Sequence, residues 1–519
     1  DAQESRGLGD VYKRQGYWLV FERGVYCRSR AISVALLPLK SLGVFCNFDR
    51  RVLSRHALVS ALITFPGNGI VIQKIFLIAC IGCVVLIASV TSAETSVEER
   101  SLVFRNVKIF NGEDLSLSEL SDVLITGNQI SRISSSTIDV DDDIRVIDGK
   151  GNTLMPGLID AHFHMMLAAA PLSVALAGPE GYLNLLAAQE AEKTLMRGFT
   201  SVRDLAGPVF SIKRAIDEEL IVGPRIWPSG AMISQTGGHG DYRHTNELPR
   251  SSDGHLHYSE QVGGAAIADG PDEVIRRVRE QLMLGASQIK LAAGGGVSSN
   301  YDPIDVSQYT EEEFSAAVAA AENWGTYVTV HAYTPRAVQT AIRAGVKVID
   351  HGQLIDEETA KLMAKKDIWL SLQPFLDDED ITAFPDGSEN REKQLLMTRG
   401  TDTAYALAKK YKIKTAWGTD TLFDAKLNER QGAQLAKMVR WYKPGEVLKM
   451  ATSTNADLLA LSGKRAPYQG RLGVVKEGAL ADLILVDGNP LENIDLVADP
   501  EKSFLVIMKD GKIYKNIAQ

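Results

Sequence analysis

Between residues 154 and 420, short apolar runs alternate with stretches of amphipathic helical pattern. The helical stretches include DEVIRRVREQLMLG, EEEFSAAVAAAENWG and PRAVQTAIRAG, and several end in glycine, a common helix terminator. Eight apolar runs have the length of buried strands, and they span residues 154–159, 200–205, 225–230, 288–293, 327–332, 348–352, 367–374 and 414–420. Strand–helix units in this succession predict an α/β protein with a (β/α)8 TIM barrel over residues 154–469.

On either side of this region, the pattern is that of short antiparallel strands separated by turn residues. From about Ser101 the segments are LVFRNVKIF, DVLITGNQISRIS and IRVIDGKGNTLMPG, and near the C-terminus they are LGVVKEGALADLILVDG and FLVIMKDGKIY. These segments predict a small β-sandwich domain that is built from both chain ends, from residues 94–153 and 470–519.

Residues 1–70 show no sustained hydrophobic period, and the first methionine of the chain is Met155. We interpret this stretch as an upstream segment that is not native to the protein. A genuine small extra region is the alternative.

Residues 71–93 have the pattern of a secretory signal peptide. Lys74 precedes an apolar core over residues 75–90, and small residues at 91–93 suit a signal peptidase. The core is shorter than the roughly 20 residues that span a bilayer. The pattern predicts cleavage after Ala93, a secreted or periplasmic protein, and no stable membrane span in the mature form. The alternatives are cleavage at a lipoprotein-like LIAC box and a retained anchor.

Composition narrows the classes of partner. The chain has 519 residues, 45% of them hydrophobic, and a formal net charge of −9. An acidic chain without a basic cluster argues against a nucleic-acid or anionic-membrane partner.

All four cysteines precede residue 94, and they are Cys27, Cys46, Cys80 and Cys83. Disulfides and thiolate metal sites are therefore excluded from the predicted folded part.

Six polar side chains stand in or at the ends of the predicted strands. His162 and His164 end the first run in GLIDAHFHMM, and side chains two apart on a strand share a face. Lys290 lies within the run QIKLAA, where a lysine is costly unless its charge is paired or removed. The remaining three close the runs YVTVHA, VIDHG and AWGTD, and they are His331, His351 and Asp420.

Each of these residues has an ordinary structural explanation, such as a buried histidine with hydrogen bonds, a salt-bridged lysine or a turn-capping aspartate. Their joint placement near C-terminal strand ends is not explained in this way. That face of a barrel carries the active site in barrel enzymes. The pattern therefore predicts a metal centre there.

In this order, the six residues resemble the ligand set of the amidohydrolase superfamily. The motifs MPGLIDAHFH, TGGHGD, IKLAAGGGVSS, VHAY, IDHG and GTD are similar to its imidazolonepropionase-related branch, which includes Xaa-Pro dipeptidases and ochratoxin-hydrolysing amidases. The resemblance covers nearly all of residues 101–519, including the divided β-sandwich, and every ligand position is filled.

The resemblance implies two divalent metal ions bridged by a carbamate, which CO2 forms on Lys290. Imidazole and carboxylate ligands without thiolate suit Zn²⁺, for which Mn²⁺ or Co²⁺ could substitute. The resemblance further implies that one ion is bound by His162, His164 and Asp420. The other ion would be bound by His331 and His351.

The resemblance also implies a metal-dependent hydrolase that cleaves an amide or peptide C–N bond next to a C-terminal amino acid. Its substrates would be those of a dipeptidase, a prolidase or an N-acyl-amino-acid amidase, including ochratoxin-type amides. A hydroxide that bridges the metals would attack the carbonyl, and Asp420 would pass the proton of the hydroxide to the leaving amine. A homo-oligomer is a further expectation from the resemblance.

Two other functions remain open. One is a mononuclear cyclic-amide hydrolase or deaminase on the same barrel, which Lys290 disfavours because a single-metal site needs no carbamate. The other is an inactive extracellular binding protein, which the complete ligand set disfavours.

The stretch SQTGGHGDYRH, residues 234–244, follows the third predicted strand and so belongs to the catalytic face. Its glycines permit close approach of a ligand to the backbone. Because dipeptidases of this family act on substrates with a free carboxylate, we expect a small-molecule or dipeptide substrate whose carboxylate binds Tyr242 and Arg243, with His244 as a further contact. His239 would stabilise the developing charge on the carbonyl oxygen. An ordinary polar loop is the alternative.

Overall fold

Strands and helices alternate through the middle of the chain in the computed structural model, which describes residues 101–247 and 256–518. The predicted upstream segment (1–70) and the predicted signal peptide (71–93) lie outside the described residues. The described residues belong to one compact unit. None of the helices in these two ranges combines the length and the apolar character that crossing a bilayer requires.

The regular elements are numbered in chain order. The strands are β1 Ser101–Ile109, β2 Ser121–Thr126, β3 Gln129–Ser134, β4 Arg145–Asp148, β5 Thr153–Pro156, β6 Leu158–Phe163, β7 Phe199–Asp204, β8 Arg225–Pro228, β9 Met232–Ser234, β10 Ala265–Ile267, β11 Ile289–Ala292, β12 Val328–Ala332, β13 Val348–His351, β14 Trp369–Leu372, β15 Thr415–Trp417, β16 Leu483–Val486, β17 Phe504–Lys509 and β18 Lys512–Asn516. The helices are α1 Leu172–Ala177, α2 Glu180–Met196, α3 Phe210–Asp217, α4 Tyr258–Gln261, α5 Pro271–Leu284, α6 Glu311–Asn323, α7 Pro335–Arg343, α8 Glu357–Lys365, α9 Glu389–Tyr411, α10 Ala425–Glu429, α11 Gln431–Ala436, α12 Pro444–Lys449, α13 Asn455–Ala460 and α14 Pro500–Ser503.

The strands of the middle region are parallel to their neighbours, and they form two sheets. One sheet has the order β6-β7-β8, and the other has the order β10-β9-β11-β12-β13-β14-β15. The predicted α/β alternation is confirmed. Within the described ranges, no strand ladder joins the two sheets. Single backbone hydrogen bonds connect the two sheets. One runs from Ser287 N–H, just before β11, to the Pro228 carbonyl of β8 (2.7 Å), and the other from Asp420 N–H, after β15, to the His162 carbonyl of β6 (2.8 Å). A barrel closed by continuous ladders stays a prediction.

The first apolar run is divided between two sheets, and the expectation of a single strand over residues 154–159 is wrong. β5 pairs with β1 and β16 of the chain-end sheet, whereas β6 pairs with β7. The division falls at Gly157, where a Cβ atom would lie 2.2 Å from Thr200 Oγ1. The run is continuous in sequence because both strands are fully buried.

Strands from the two chain ends combine in one hydrogen-bonded sheet. Its order is β18-β17-β16-β5-β1-β2-β3, and β4 pairs with β1. Side chains from both ends share a common apolar core, which includes Phe104, Val123, Leu485 and Val506. Two separate sheets packed face to face, as in a sandwich, stay a prediction.

Helix α5 shows how local sequence sets the element boundaries. It begins with Pro271, and proline suits this position because the first N–H of a helix has no partner within the helix. Its first turn carries Asp272 and Glu273, whose negative charges suit the helix N-terminus. It ends before Gly285, whose φ of +108° suits glycine. The chain then enters β11, so this stop determines where the strand that carries Lys290 begins.

Candidate active site

The loop that follows β15 brings Asp420 against the two histidines of β6 and its end. Asp420 Oδ1 lies 2.9 Å from His164 Nε2 and 3.3 Å from His162 Nε2. His162 lies within β6 and His164 directly follows it, and their ring centroids are 5.3 Å apart. The structure thus brings these three predicted ligands together, as expected from the alternation of side chains along a strand.

His351, the last residue of β13, completes a group of donor atoms that suits a divalent ion. One ligand atom each of His162, His351 and Asp420 lies within 4.8 Å of the other two. Zinc bonds to such nitrogen and oxygen atoms are about 2.0–2.2 Å long, so after small side-chain movements these atoms could serve one ion or two neighbouring ions. His164 Nδ1 is buried and has no hydrogen-bond partner among the described residues. The donor set therefore fits a metal site.

His331 and His239 lie on the other side of His351. The ring centroid of His331 is 4.4 Å from that of His351, and His239 stacks on His331 at 4.1 Å. His331 Nε2 also lies 3.1 Å from the carbonyl oxygen of Gly295. The predicted catalytic His239 is therefore in direct contact with a predicted metal ligand.

Lys290 reaches the group through Asp350, a buried carboxylate of β13. Lys290 Nζ donates to Asp350 Oδ2 at 2.6 Å, and Thr329 Oγ1 donates to the same oxygen at 2.7 Å. Arg203 Nη2 donates to Asp350 Oδ1 at 2.6 Å, and that oxygen lies 3.8 Å from His162 Nδ1. The salt bridge that would explain Lys290 as an ordinary buried lysine is thus present in the structure. A carbamate on Lys290 stays a prediction.

The protonation states favour metal binding. Burial lowers the pKa of His162 to about 4, although Asp420 opposes this shift. Burial also lowers the pKa of His331 and of His351 well below the ordinary histidine value. Burial by itself would raise the pKa of Asp420, but His162, His164 and His351 together hold that pKa well below its usual value. Neutral imidazoles and an ionised carboxylate are the forms that bind metals.

Asp160 ties the β6 histidines to the loop that carries Asp420. Its carboxylate accepts hydrogen bonds from His162 N–H (3.0 Å), Thr419 Oγ1 (2.7 Å) and Gln431 Nε2 (2.9 Å). The loop also approaches β6 closely, since a Cβ atom at Gly418 would lie 2.4 Å from His162 N. Asp160 and Gly418 therefore fix the distance between Asp420 and the histidines.

Two of the predicted ligands have a left-handed backbone. The φ angle is +80° at His351 and +50° at Asp420. Such conformations are unfavourable for residues other than glycine and often occur at functional sites. The amide of Gln373 links two ligands, with its Oε1 2.8 Å from His351 Nδ1 and its Nε2 3.1 Å from His162 Nδ1. Partners of this kind orient metal-binding imidazoles.

Residues 293–308, most of the loop between β11 and α6, support His239. His239 Nδ1 lies 2.7 Å from Ser299 Oγ and 3.8 Å from Asp302 Oδ2. A Cβ atom at Gly296 would lie 1.9 Å from His239 Nδ1, so the backbone of the loop packs directly on the ring. We call residues 293–308 the 293–308 loop.

The three predicted substrate contacts, Tyr242, Arg243 and His244, differ in their exposure and in their hydrogen-bond partners. Tyr242 is partly buried, and burial together with the nearby Asp302 raises its pKa to about 12. Arg243 donates to Asp241 through Nε at 2.8 Å and Nη2 at 2.5 Å. His244 is exposed. Their roles in substrate binding stay predictions, and a substrate carboxylate would have to share Arg243 with Asp241.

Sequence reasoning missed several residues that hold the site together. The most central are Arg203 and Asp350, which are completely buried. A signal was present for both, because each is a charged residue in an apolar strand, the criterion that identified Lys290. Asp160 offered the same signal, because it is an acid in the buried strand β6, whereas Gln373 and Ser299 offered none.

Comparisons with known proteins agree with the motifs. The sequence pattern of the amidohydrolase family matches residues 153–517. An ochratoxinase from Aspergillus niger is 33% identical over 385 residues, which cover 70% of this chain and 75% of that protein.

Two solved structures are similar over most of the chain. A prolidase in complex with N-methylphosphonate-L-proline is 33% identical, with a TM-score of 0.73, and the match covers 80% of this chain and 100% of the other. A Xaa-Pro dipeptidase with methionine bound in its active site is 30% identical, with a TM-score of 0.69 and the same coverage. The family that the motifs predict is therefore confirmed.

Proposed function

The chain belongs to the amidohydrolase family, and from this premise we propose that it hydrolyses an amide or peptide C–N bond next to a C-terminal amino acid. The observation that carries the proposal is the convergence of His162, His351 and Asp420 within 4.8 Å, where neutral imidazoles and an ionised carboxylate meet. The ochratoxinase, prolidase and Xaa-Pro dipeptidase among the relatives support the choice of an amide bond beside an amino acid.

We infer that the site holds two divalent ions, with Zn²⁺ the best match to imidazole and carboxylate donors. Bound ions of this kind polarise a carbonyl group and lower the pKa of a coordinated water. In the proposed arrangement, one ion is held by His162, His164 and Asp420, and the other by His331 and His351.

Lys290 would bridge the two ions as a carbamate. Burial lowers the pKa of Lys290, although Asp350 opposes this shift, and loss of its proton is the step that lets the amine react with CO2. The nitrogen of a carbamate retains one hydrogen, so the bond to Asp350 can persist after the reaction. Arg203 and Thr329 would continue to pair Asp350 in either state.

The proton steps are assigned to Asp420. Its two carboxylate oxygens face different ligands, since Oδ1 is near His162 and His164 and Oδ2 lies 3.8 Å from His351 Nδ1. From this position, Asp420 would take a proton from the attacking water and deliver it to the leaving amine. His239 would donate a hydrogen bond to the carbonyl oxygen as its charge develops.

A substrate screen tests the proposed function. Zinc-loaded protein is assayed with Xaa-Pro, Xaa-Arg and Xaa-Phe dipeptides and with N-acyl amino acids, and the zinc content per chain is measured. We expect hydrolysis of at least one class, with close to two ions per chain. Hydrolysis of none of them, or full activity with a single ion per chain, would contradict the proposal.

The carboxylate contact gives a prediction for Arg243→Ala. Loss of a charged hydrogen bond costs about 1.5–3 kcal/mol, so kcat/KM for free-acid substrates should fall about ten- to a hundredfold, mainly through KM. The corresponding C-terminal amides should be poor substrates for the wild type and should not change. Arg214→Ala is the control, because Arg214 also pairs with a carboxylate close to it in sequence, that of Glu218, which directly follows α3. If the wild type cleaves acids and amides equally and Arg243→Ala alters neither, the assignment is wrong.

We also propose that the protein is exported and cleaved after Ala93. Expression of the chain from Val71 in a secreting host, followed by mass spectrometry of the exported protein, is expected to give a mature N-terminus at Glu94. A mature N-terminus upstream of Lys74 would refute the proposed signal peptide.

A further inference from the structure

Two side chains of helix α9 donate hydrogen bonds to the backbone of the 293–308 loop. Lys393, in the second turn of the helix, donates from Nζ to the carbonyl oxygens of Ser299 (2.6 Å) and Asp302 (3.3 Å). Lys393 is only 6% exposed, and among the described residues its ammonium group forms no ion pair with a carboxylate. A buried ammonium group is costly to desolvate, and here the hydrogen bonds that offset the cost all go to one loop.

Asn390, one turn earlier in α9, holds the same loop at neighbouring positions. Its Nδ2 donates to the carbonyl oxygens of Val297 (2.7 Å) and Ser299 (3.1 Å). The two side chains together donate to the carbonyl groups of Val297, Ser299 and Asp302, which lie outside the helices and strands. Fixed side-chain donors therefore substitute for regular secondary structure in this segment.

The held segment is the one that contacts the predicted active-site histidines. Ser299 Oγ lies 2.7 Å from His239 Nδ1, and the backbone at Gly296 packs on the His239 ring. The carbonyl oxygen of Gly295 lies 3.1 Å from His331 Nε2. A shift of this loop would therefore move partners of both histidines together.

We propose that Lys393 is a positioning residue, which sets the orientation of His239 and His331 through the backbone of the 293–308 loop. Lys393 contacts neither histidine, so its effect on the reaction passes through Ser299, Asp302 and their neighbours. The catalytic consequence rests on the proposed function, whereas the structural consequence does not.

The matched control is Lys509, a second buried lysine that donates to a carbonyl group. Lys509 is 8% exposed, lies in β17 of the chain-end sheet, and donates from Nζ to the carbonyl oxygen of Gly223 at 2.7 Å. Lys393→Met and Lys509→Met remove the same group from comparable burial. A general loss of stability should affect both variants, but loss of positioning should be confined to Lys393→Met.

The experiment combines steady-state kinetics at saturating zinc with hydrogen–deuterium exchange of the folded protein. For Lys393→Met, we expect kcat to fall about ten- to a hundredfold with KM within about twofold, and exchange to accelerate in peptides from the 293–308 loop. Lys509→Met should change neither. If Lys393→Met fails to fold, Asn390→Ala, which removes two bonds to the loop without removing a charge, provides the same test with a smaller expected loss.

Two results would overturn the proposal. One is unchanged exchange in the loop of a folded Lys393→Met variant, and the other is an equal loss of kcat in Lys393→Met and Lys509→Met. If the wild type hydrolyses none of the screened substrates, the proposed function fails, and the proposal is then judged by exchange and by zinc titration alone. Faster loop exchange with weaker binding of the second zinc ion supports it, whereas wild-type exchange and zinc binding contradict it.

Discussion

Lys290→Ala is expected to lose most of the bound metal and to lower kcat/KM by at least about a hundredfold. A carbamate on Lys290 would supply one oxygen to each ion, and alanine can supply none. The variant removes the side chain from a site where it is only 2% exposed. Metal content by mass spectrometry and hydrolysis of the best screened substrate measure the two losses.

The remaining contacts should keep the Lys290→Ala variant folded. Asp350 would retain Arg203 Nη2 at 2.6 Å and Thr329 Oγ1 at 2.7 Å, so no buried carboxylate is left without a cation. Lys509→Ala, at a buried lysine outside the site, is the control for the loss of a buried amine.

Short carboxylic acids provide a direct test of the carbamate. Formate or acetate can occupy the cavity left by the side chain and offer two oxygens in place of the carbamate, so either should partly restore activity to Lys290→Ala. Neither should affect Lys509→Ala. Full activity of Lys290→Ala without any additive would exclude a bridging role for Lys290.

Most of the strands near the site could be predicted from sequence because parallel strands that are buried on both faces form continuous apolar runs. β11, Ile289–Ala292, falls within the predicted run 288–293, and β13, Val348–His351, falls within 348–352. Once these strands are placed, Lys290 lies within β11 and His351 is the last residue of β13, as the apolar runs predict.

The same rule fails where two buried strands follow each other without a polar break. Leu154 and Ile159 belong to one apolar run, yet Leu154 pairs with Leu485 of β16, whereas Ile159 pairs with Ser201 of β7. The distinction depends on pairing with a strand more than 300 residues away in sequence. Local hydrophobicity carries no information about that partner.

Candidate ligands could be selected from the sequence, but most of the residues that support them in the structure could not. A metal ligand is recognisable because His, Asp or Lys at a strand end is unusual in itself. A partner is defined by proximity: Asp350 is paired by Arg203, which is 147 positions away, and by Lys290, which is 60 positions away. Only the fold shows that the Arg203 and Lys290 side chains both donate to the Asp350 carboxylate.

Asp420→Asn is expected to lower kcat by about 10²–10⁴-fold, the range for loss of a general acid–base group. Asparagine preserves the size of the side chain and one carbonyl oxygen for His162 and His164, which lie 3.3 and 2.9 Å from Asp420 Oδ1. It cannot accept and return a proton. Asp482→Asn is the matched control, since Asp482 is a buried carboxylate that pairs with Arg225 in the chain-end region and should affect stability but not kcat.

A comparison of leaving groups separates proton transfer from metal binding in Asp420→Asn. The zinc content is measured first, and kinetics are then recorded at saturating zinc with an amide substrate and with its ester analogue. The amine that leaves from the amide must be protonated as it departs. The alkoxide that leaves from the ester is less basic than an amide anion, so its departure depends less on a general acid. We therefore expect Asp420→Asn to lose considerably more activity on the amide than on the ester. An equal loss on both substrates would limit Asp420 to the role of a ligand, and unchanged kcat on the amide would remove it from the mechanism.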